Sequence, residues 1–378
     1  MFNRKQLFSG SEGESLFFWG ARQTGKSTLL KAMFQDALYI DLLKTDLYYR
    51  FEKSPSLLRE IVLANLGKLV IVDEIQKVPL LLDEVHWLIE NEGVRFILSG
   101  SSSRKILRSG VNLLGGRALR YELYPFVSDE ITNFDLLRAL NHGLLPRHYL
   151  SNNPKKLLEA YVLNYLRDEI VMEAKIRNVG AFSRFLEAAA FTNGEIVNYT
   201  NIASDCGVSS VTVKEYFQIL DDTLIGRFLP SFQKRQKRKV VVAPKFYFFD
   251  IGIVNHLLKR GRIELGTENY GNALEHLIYM EIFAFSNYSD LNFPISYWRT
   301  TTQNEIDFIL GDAHVAIEVK STSNVQSKQL QSIKLFQNEF PNCRGIVVSN
   351  EPFERQVGSI TIMPIQVFLS KLWGGGIF

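Results

Sequence analysis

Gly20-Ala21-Arg22-Gln23-Thr24-Gly25-Lys26-Ser27 is the stretch on which the reading of this chain turns. It fits Gly-x-x-x-x-Gly-Lys-Ser/Thr and stands between an apolar run, Leu16-Phe17-Phe18-Trp19, and a helical pattern over Lys26–Phe34. A strand that breaks into glycines and reopens as a helix turns its backbone N–H groups inward beside a helix N-terminus. That is a seat for phosphate oxygens. The expected nucleotide cradle is therefore Gly20, Ala21, Arg22, Gln23, Thr24, Gly25, Lys26, Ser27 and Thr28, with Lys26 reaching the β- and γ-phosphates and Ser27 coordinating Mg²⁺.

Working outward, Leu69-Val70-Ile71-Val72-Asp73-Glu74 is an apolar strand ending in two carboxylates. Asp73 suits an oxygen-seeking Mg²⁺, and Glu74 is placed to orient or deprotonate an attacking water. A third strand end, Phe96-Ile97-Leu98-Ser99-Gly100-Ser101-Ser102, offers a polar residue to position that water: Ser99, with Ser101 as the alternative. Gly115-Gly116-Arg117 precedes a fifth strand. Arg117 is either a donor to transition-state charge in a neighbouring subunit or an ordinary surface residue.

Strands are expected at Ser15–Trp19, Ala37–Asp41, Lys68–Asp73, Arg95–Ser99 and Leu119–Leu123, with a helix at Pro79–Asn91. This alternation predicts an α/β core with a parallel sheet. The full 378 residues allow two or three domains, and 46% hydrophobic with 22% charged residues excludes a disordered or fibrous chain. Two cysteines exclude a disulfide scaffold or a four-cysteine zinc site and fit the cytoplasm. No apolar run reaches membrane-span length, so no membrane association is expected. The net charge of +3 decides nothing about partners.

From about Val127 to Glu195 the strand signal gives way to helices. Thr200–Leu220 has the pattern of two helices around Gly207, with Thr200 and Ser209 as N-caps. Ser210, Lys214 and Gln218 fall on the outer face of the second helix, able to meet phosphates or base edges. A basic run, Lys234-Arg235-Gln236-Lys237-Arg238-Lys239, follows and adds an electrostatic footprint for nucleic acid. A protein-docking module is the alternative.

The last third returns to mixed structure: a strand at Lys245–Phe249, a helix at Leu274–Phe285, strands at Ser296–Arg299, Glu305–Leu310 and Ala313–Val319, a helix at Ser327–Gln337 and a strand at Arg344–Val348. A tight hairpin through Gly311-Asp312 brings Asp307 beside Glu318, and Lys320 projects from the same face as Glu318. Two carboxylates and a lysine around one point suit Mg²⁺-dependent phosphodiester cleavage, with Asp307 and Glu318 on the metal.

The order of P-loop, Val-Asp-Glu-Ile-Gln, Leu-Ser-Gly-Ser and Gly-Arg…Tyr-Pro-Phe, with Leu166-Arg167-Asp168-Glu169-Ile170 and the Gly271…Glu275 helix, resembles the AAA+ ATPases that carry a C-terminal DUF4143 domain. The resemblance implies a RecA-like ATPase core whose sheet has the catalytic strand beside the P-loop strand. Glu275, Asp307, Glu318 and Lys320 further resemble the PD-(D/E)xK nucleases, which makes all four candidate catalytic residues. The expected organisation is an ATPase core over 1–126, a helical and winged-helix middle over 127–240, and a nuclease-like domain over 241–378. The expected function is ATP hydrolysis with Mg²⁺ coupled to DNA engagement, with metal-dependent cleavage as a possible addition. The alternative is an ATPase switch with an inactive nuclease-like domain that docks protein partners. A homo-oligomer is a further candidate assembly.

Overall fold

Ser15–Trp19 (β1) is buried at all five positions, as a strand covered on both faces requires. A computed structural model describes residues 3–102, 104, 114–233 and 243–378, less the side chains of 167–169 and 173. β1 joins Leu38–Asp41 (β2), Val70–Asp73 (β3), Phe96–Gly100 (β4) and Ala118–Glu122 (β5) in a parallel sheet of order β2-β3-β4-β1-β5. β3 and β4 are also buried throughout, while the edges β2 and β5 are partly exposed. Continuous apolar runs therefore mark the centre of the sheet. Phe17, Trp19, Val70, Val72, Phe96 and Leu98 pack one face against Val85 and Leu88 of the Leu81–Glu92 helix.

One expectation is corrected here. The catalytic strand does not lie beside the P-loop strand, because β4 stands between β1 and β3. The chain leaves β1 for the edge at β2, then steps back through β3 and β4 before crossing to β5. That winding sets Ser99 in register with Asp73. Helices at Thr45–Lys53 and Leu57–Leu63, which the sequence pattern did not mark, fill the crossover from β2 to β3.

The chain divides into two compact units, Asn3–Pro125 with Gln218–Ile225, and Phe126–Phe217 with Gly226–Phe378. The second opens with short helices, among them Leu136–His142, Pro146–Leu150 and Pro154–Ala160. The last runs into a π-helical stretch, Tyr161–Glu169, which holds most of the Leu166–Ile170 motif. Helices Tyr199–Cys206 and Ser210–Asp222 flank Gly207, whose φ of 66° is the left-handed value that glycine adopts freely. Ser209 caps as expected, its Oγ accepting the Thr212 N–H at 3.1 Å. Thr200 does not: the Asn198 side chain accepts the Asn201 N–H at 3.1 Å, so the helix begins before it.

Gly226–Leu229 (β6) pairs antiparallel with Lys245–Phe248 (β7), tying the strand expected to open the last third to the helical middle. The basic run 234–239 lies outside the described residues. Ile295–Arg299 (β8), Glu305–Leu310 (β9), Val315–Lys320 (β10), Arg344–Ser349 (β11), Arg355–Val357 (β12) and Ile360–Pro364 (β13) form a mixed sheet of order β12-β13-β11-β10-β9-β8. Ile306, Ile309, Val347 and Ile362 bury one of its faces against Ile333 and Phe336 of the Gln331–Glu339 helix. β12, β13 and the closing helix Ile365–Trp373 lie beyond the last expected strand. Among the described residues no helix is long and apolar enough to cross a membrane.

Candidate functional site

The carboxyl ends of β1, β3 and β4 hold the N-terminal site. Gly20 leaves no room for a side chain, since a Cβ there would meet the Leu123 carbonyl oxygen at 2.5 Å. Gly25 takes φ +99° and Gln23 φ +64°, which curls the loop over the start of the Lys26–Met33 helix. Thr24 is buried and donates to the Ala21 carbonyl at 2.9 Å, while Arg4 fastens the loop from outside by donating to the Thr24 carbonyl at 2.7 Å. Arg22 is half-buried, and Gln23 and Thr28 are exposed.

Lys26 is buried inside the curl, where Nζ donates to the carbonyls of Gly20 at 2.6 Å and Ala21 at 3.1 Å. Burial lowers its pKa, opposed by the charges of Glu74 and Asp73. Two carbonyls do not neutralise a buried ammonium, so the site fits an anion. The cradle therefore suits a nucleotide phosphate.

Asp73 gathers hydroxyls. Its Oδ2 accepts from Ser27 Oγ at 2.7 Å and from Tyr39 Oη at 2.5 Å, and its Oδ1 accepts from Ser99 Oγ. Glu74, at φ 61°, turns its carboxylate the other way. Glu74 Oε2 accepts from Gln76 Nε2 and from Ser101 Oγ at 3.3 Å, and Gln76 Nε2 also donates to Ser101 Oγ at 3.1 Å. The two serines that stood as alternatives thus attend different carboxylates, Ser99 on Asp73 and Ser101 on Glu74.

Arg117 lies elsewhere. It precedes β5, whose Ala118 pairs with Ser15 at the start of β1, whereas the cradle follows Trp19 at its end. Five residues of strand, roughly 15 Å at about 3.3 Å each, separate the two edges. Arg117 is exposed and ion-paired with Glu90, so it does not reach the phosphate seat of its own chain.

The C-terminal candidates do meet. The β9–β10 pairing runs from Val315 opposite Leu310 to Ile317 opposite Phe308, and just past it the charges of Asp307 and Glu318 act on one another. Asp307 Oδ2 accepts the Val319 N–H at 2.7 Å, and Lys320 Nζ donates to Glu318 Oε1. Burial pushes both carboxyl pKa values up, reinforced by the charge of Glu275 on Asp307 and of Asp307 on Glu318. Glu275, on the Glu268–Tyr288 helix, accepts from Tyr247 Oη at 2.6 Å and pairs with Lys245 Nζ at 3.4 Å. Lys245, 3% exposed, also pairs with Glu305 at 2.6 Å and feels the charge of Asp307. Among the described residues no group of three His, Cys, Asp or Glu side chains could hold a metal ion. The positive charges in this cluster are the Lys245 ammonium, Lys320 beside Glu318 and Arg299, which pairs with Glu305 at 3.4 Å.

Sequence reasoning missed Tyr39, Gln76, Lys245, Tyr247 and Glu305. Gln76 stood inside the quoted Val-Asp-Glu-Ile-Gln run, two residues after Glu74, and that spacing was a usable signal. Nothing local marked Tyr39 or Lys245, which act from strands distant in sequence.

Residues 12–132 match the model of the AAA domain, residues 133–264 that of a domain of unknown function (DUF8612), and residues 270–368 that of another (DUF4143). Lys245 and Tyr247 fall within the second stretch, and their partners Glu275 and Glu305 within the third. An uncharacterized protein of Haemophilus influenzae is 21% identical over 370 residues, covering 89% of each chain. An uncharacterized protein of Methanocaldococcus jannaschii is 23% identical over 377 residues, covering 89% of this chain and 82% of its own. An AAA domain suggests nucleotide-dependent activity, and every residue of the phosphate cradle, with Asp73, Glu74, Ser99 and Ser101, lies inside the matched stretch. The chain thus carries an AAA domain at its N-terminal end and a DUF4143 domain at its C-terminal end.

Proposed function

We propose that the N-terminal site binds ATP with Mg²⁺ and hydrolyses it, and that the chain couples this cycle to double-stranded DNA. The observation that carries the first half is the division of labour at the end of β3, where Asp73 is tied to Ser27 and Ser99 while Glu74 is tied to Gln76 and Ser101. Lys26 has the charge and reach to meet β- and γ-phosphate oxygens. Ser27 and Asp73 would hold Mg²⁺, which supplies neutralisation of phosphate charge. Glu74, ordered by Gln76 and Ser101, takes the proton of the attacking water at its carboxylate.

Lys26→Ala should abolish ATP binding, and Glu74→Gln should keep binding while turnover falls about 10²–10⁴-fold. Equilibrium nucleotide binding and steady-state phosphate release measure the two effects separately. Wild-type turnover in Glu74→Gln would remove the assignment. Ser101→Ala should lower kcat without changing the Mg²⁺ dependence, and Ser99→Ala should shift the Mg²⁺ dependence.

DNA engagement draws support from the two helices around Gly207 followed by the β6–β7 ribbon, the layout of a winged helix. For the C-terminal cluster, the Lys245 ammonium among the carboxylates favours a nuclease-shaped scaffold that engages a partner without cutting. Supercoiled plasmid should stay intact with Mg²⁺ or Mn²⁺. Nicking by the wild type that disappears in Asp307→Ala and Lys320→Ala would establish cleavage instead.

A further inference from the structure

A cleft of about 1130 Å³ in the second unit is bordered by the Leu136–His142 and Pro154–Ala160 helices and by the 259–262 turn. Arg138, Lys155, Lys156, Lys259, Arg260 and Arg262 line it. Three carboxylates share it, and one of these is committed elsewhere: Asp135 caps its own helix by accepting the Arg138 N–H at 3.0 Å. Among the described residues none of the six cations forms an ion pair. An adjoining hollow of about 600 Å³ shares Lys156 and adds Arg147.

Neutral amides hold these charges together. Asn141 donates to the Ile263 carbonyl at 3.0 Å and accepts the Ile263 N–H at 2.8 Å, which staples the turn to the Leu136–His142 helix. Asn255, buried, donates to the Leu140 carbonyl at 2.7 Å. Arg138 is fixed by donating to the carbonyls of Tyr149 at 2.6 Å and Ser151 at 3.0 Å. Lys259 sits at φ 50°, a left-handed value that a non-glycine residue adopts only at a cost. It is kept there by the Lys259 and Arg260 N–H bonds to the carbonyls of His256 and Asn255. The cations are therefore gathered by a built wall, and six of them face the three lining carboxylates Asp135, Glu159 and Glu187, with Glu268 acting on Arg260, so the cleft keeps an excess of positive charge for an anionic ligand.

We propose that this cleft seats the sugar-phosphate backbone of double-stranded DNA. It is far larger than one phosphate needs. Among the described residues no Phe, Tyr or Trp side chain lines it, and its only aromatic rings are the half-buried His142 and His256, so it offers few of the stacking platforms on which unpaired bases are held. Exposed Asn152 and Asn153 add amide donors suited to phosphate oxygens. The outer face of the Ser210–Asp222 helix would add a second, weaker contact to the same duplex, because Lys214 lies over the Tyr199 ring beside exposed Glu215, and Gln218 is bonded to Asp222. This inference rests on the proposed DNA engagement and names its surface.

The test is fluorescence anisotropy of a short labelled duplex of arbitrary sequence with the full chain, across a salt series. The variants are Lys155→Glu with Lys156→Glu, and Lys259→Glu with Arg262→Glu, all exposed positions. Each pair should weaken binding at low salt about tenfold or more, and should lessen the slope of log affinity against log salt by about one for each phosphate no longer neutralised. Unchanged far-UV melting and unchanged DNA-free ATPase would show that the fold and the nucleotide site are intact. Lys214→Glu should have the smaller effect. Wild-type affinity in both cleft variants overturns the cleft while DNA engagement stands. Absence of duplex binding by the wild type at low salt overturns both. Displacement of the duplex by polyglutamate as readily as by unlabelled duplex would assign the cleft to an acidic protein segment and overturn the DNA proposal.

Discussion

Asp73 accepts from three hydroxyls, and one of them, Tyr39 Oη, comes from a strand that no motif marks. A cation approaching Asp73 Oδ2 competes with that phenol, whose pKa is held up by burial and by the bond itself. A bond to a charged group contributes about 1.5–3 kcal/mol. Tyr39→Phe should therefore lower the Mg²⁺ concentration at half-maximal ATPase activity several-fold, with Ser27→Ala moving it the opposite way; a Mg²⁺ titration of turnover reads both. Lys245 belongs to the same scale. Without its ammonium, Glu275 and Asp307 keep their mutual repulsion and Glu305 is left with Arg299 alone, and breaking a buried pair in this way costs about 3–5 kcal/mol. Lys245→Met should lower the melting temperature in the absence of nucleotide, and a divalent cation should recover part of the loss where it gives the wild type little.

The elements explain which candidates can act together. Both motif strands and β4 present their carboxyl ends to the Lys26–Met33 helix, so Lys26, Ser27, Asp73, Glu74, Ser99 and Ser101 meet, while Arg117 opens β5 at the other edge. Arg117→Ala should leave ATP affinity within about twofold of wild type by equilibrium binding, since one exposed ion pair contributes about 0–1 kcal/mol. In the second unit, Glu281 of the Glu268–Tyr288 helix accepts the Ser128 N–H at 2.7 Å, the Ser128 hydroxyl at 3.0 Å and the Trp373 indole N–H at 2.6 Å. Burial pushes its carboxyl up to about 7, against the opposing pull of those donors. A carboxyl raised in the folded state binds its proton more tightly there. Its contribution is full below about pH 4 and is lost as pH rises through about 7. Glu281→Gln should flatten that part of a stability profile measured by denaturant titration, costing about 1–3 kcal/mol at about pH 5 by leaving a buried donor without its acceptor and less at about pH 8, where it also removes a buried charge.

At the scale of the whole molecule, Mg²⁺ and ATP together should raise the melting temperature of the wild type in proportion to the logarithm of ligand concentration, and should leave Lys26→Ala unmoved. Differential scanning calorimetry over a nucleotide series reads this. The nucleotide half of the protein was legible because its chemistry is local. A phosphate cradle needs glycines and a lysine at fixed spacing beside a strand and a helix, and central parallel strands carry their burial as unbroken apolar runs, so Leu16–Trp19 and Leu69–Asp73 announce themselves. The approach of Asp307 to Glu318 was legible for a similar reason, since a short hairpin brings the two strands that carry them side by side. Tertiary structure alone decided the rest. Strand order set β4 between the two motifs and gave Ser99 and Ser101 different carboxylates, and neither follows from spacing. Lys245 reaches Glu275 and Glu305 from 30 and 60 residues away, and the basic cleft assembles residues scattered between 138 and 262. Long-range electrostatics of this kind depends on how the elements pack, which no local pattern of residues encodes.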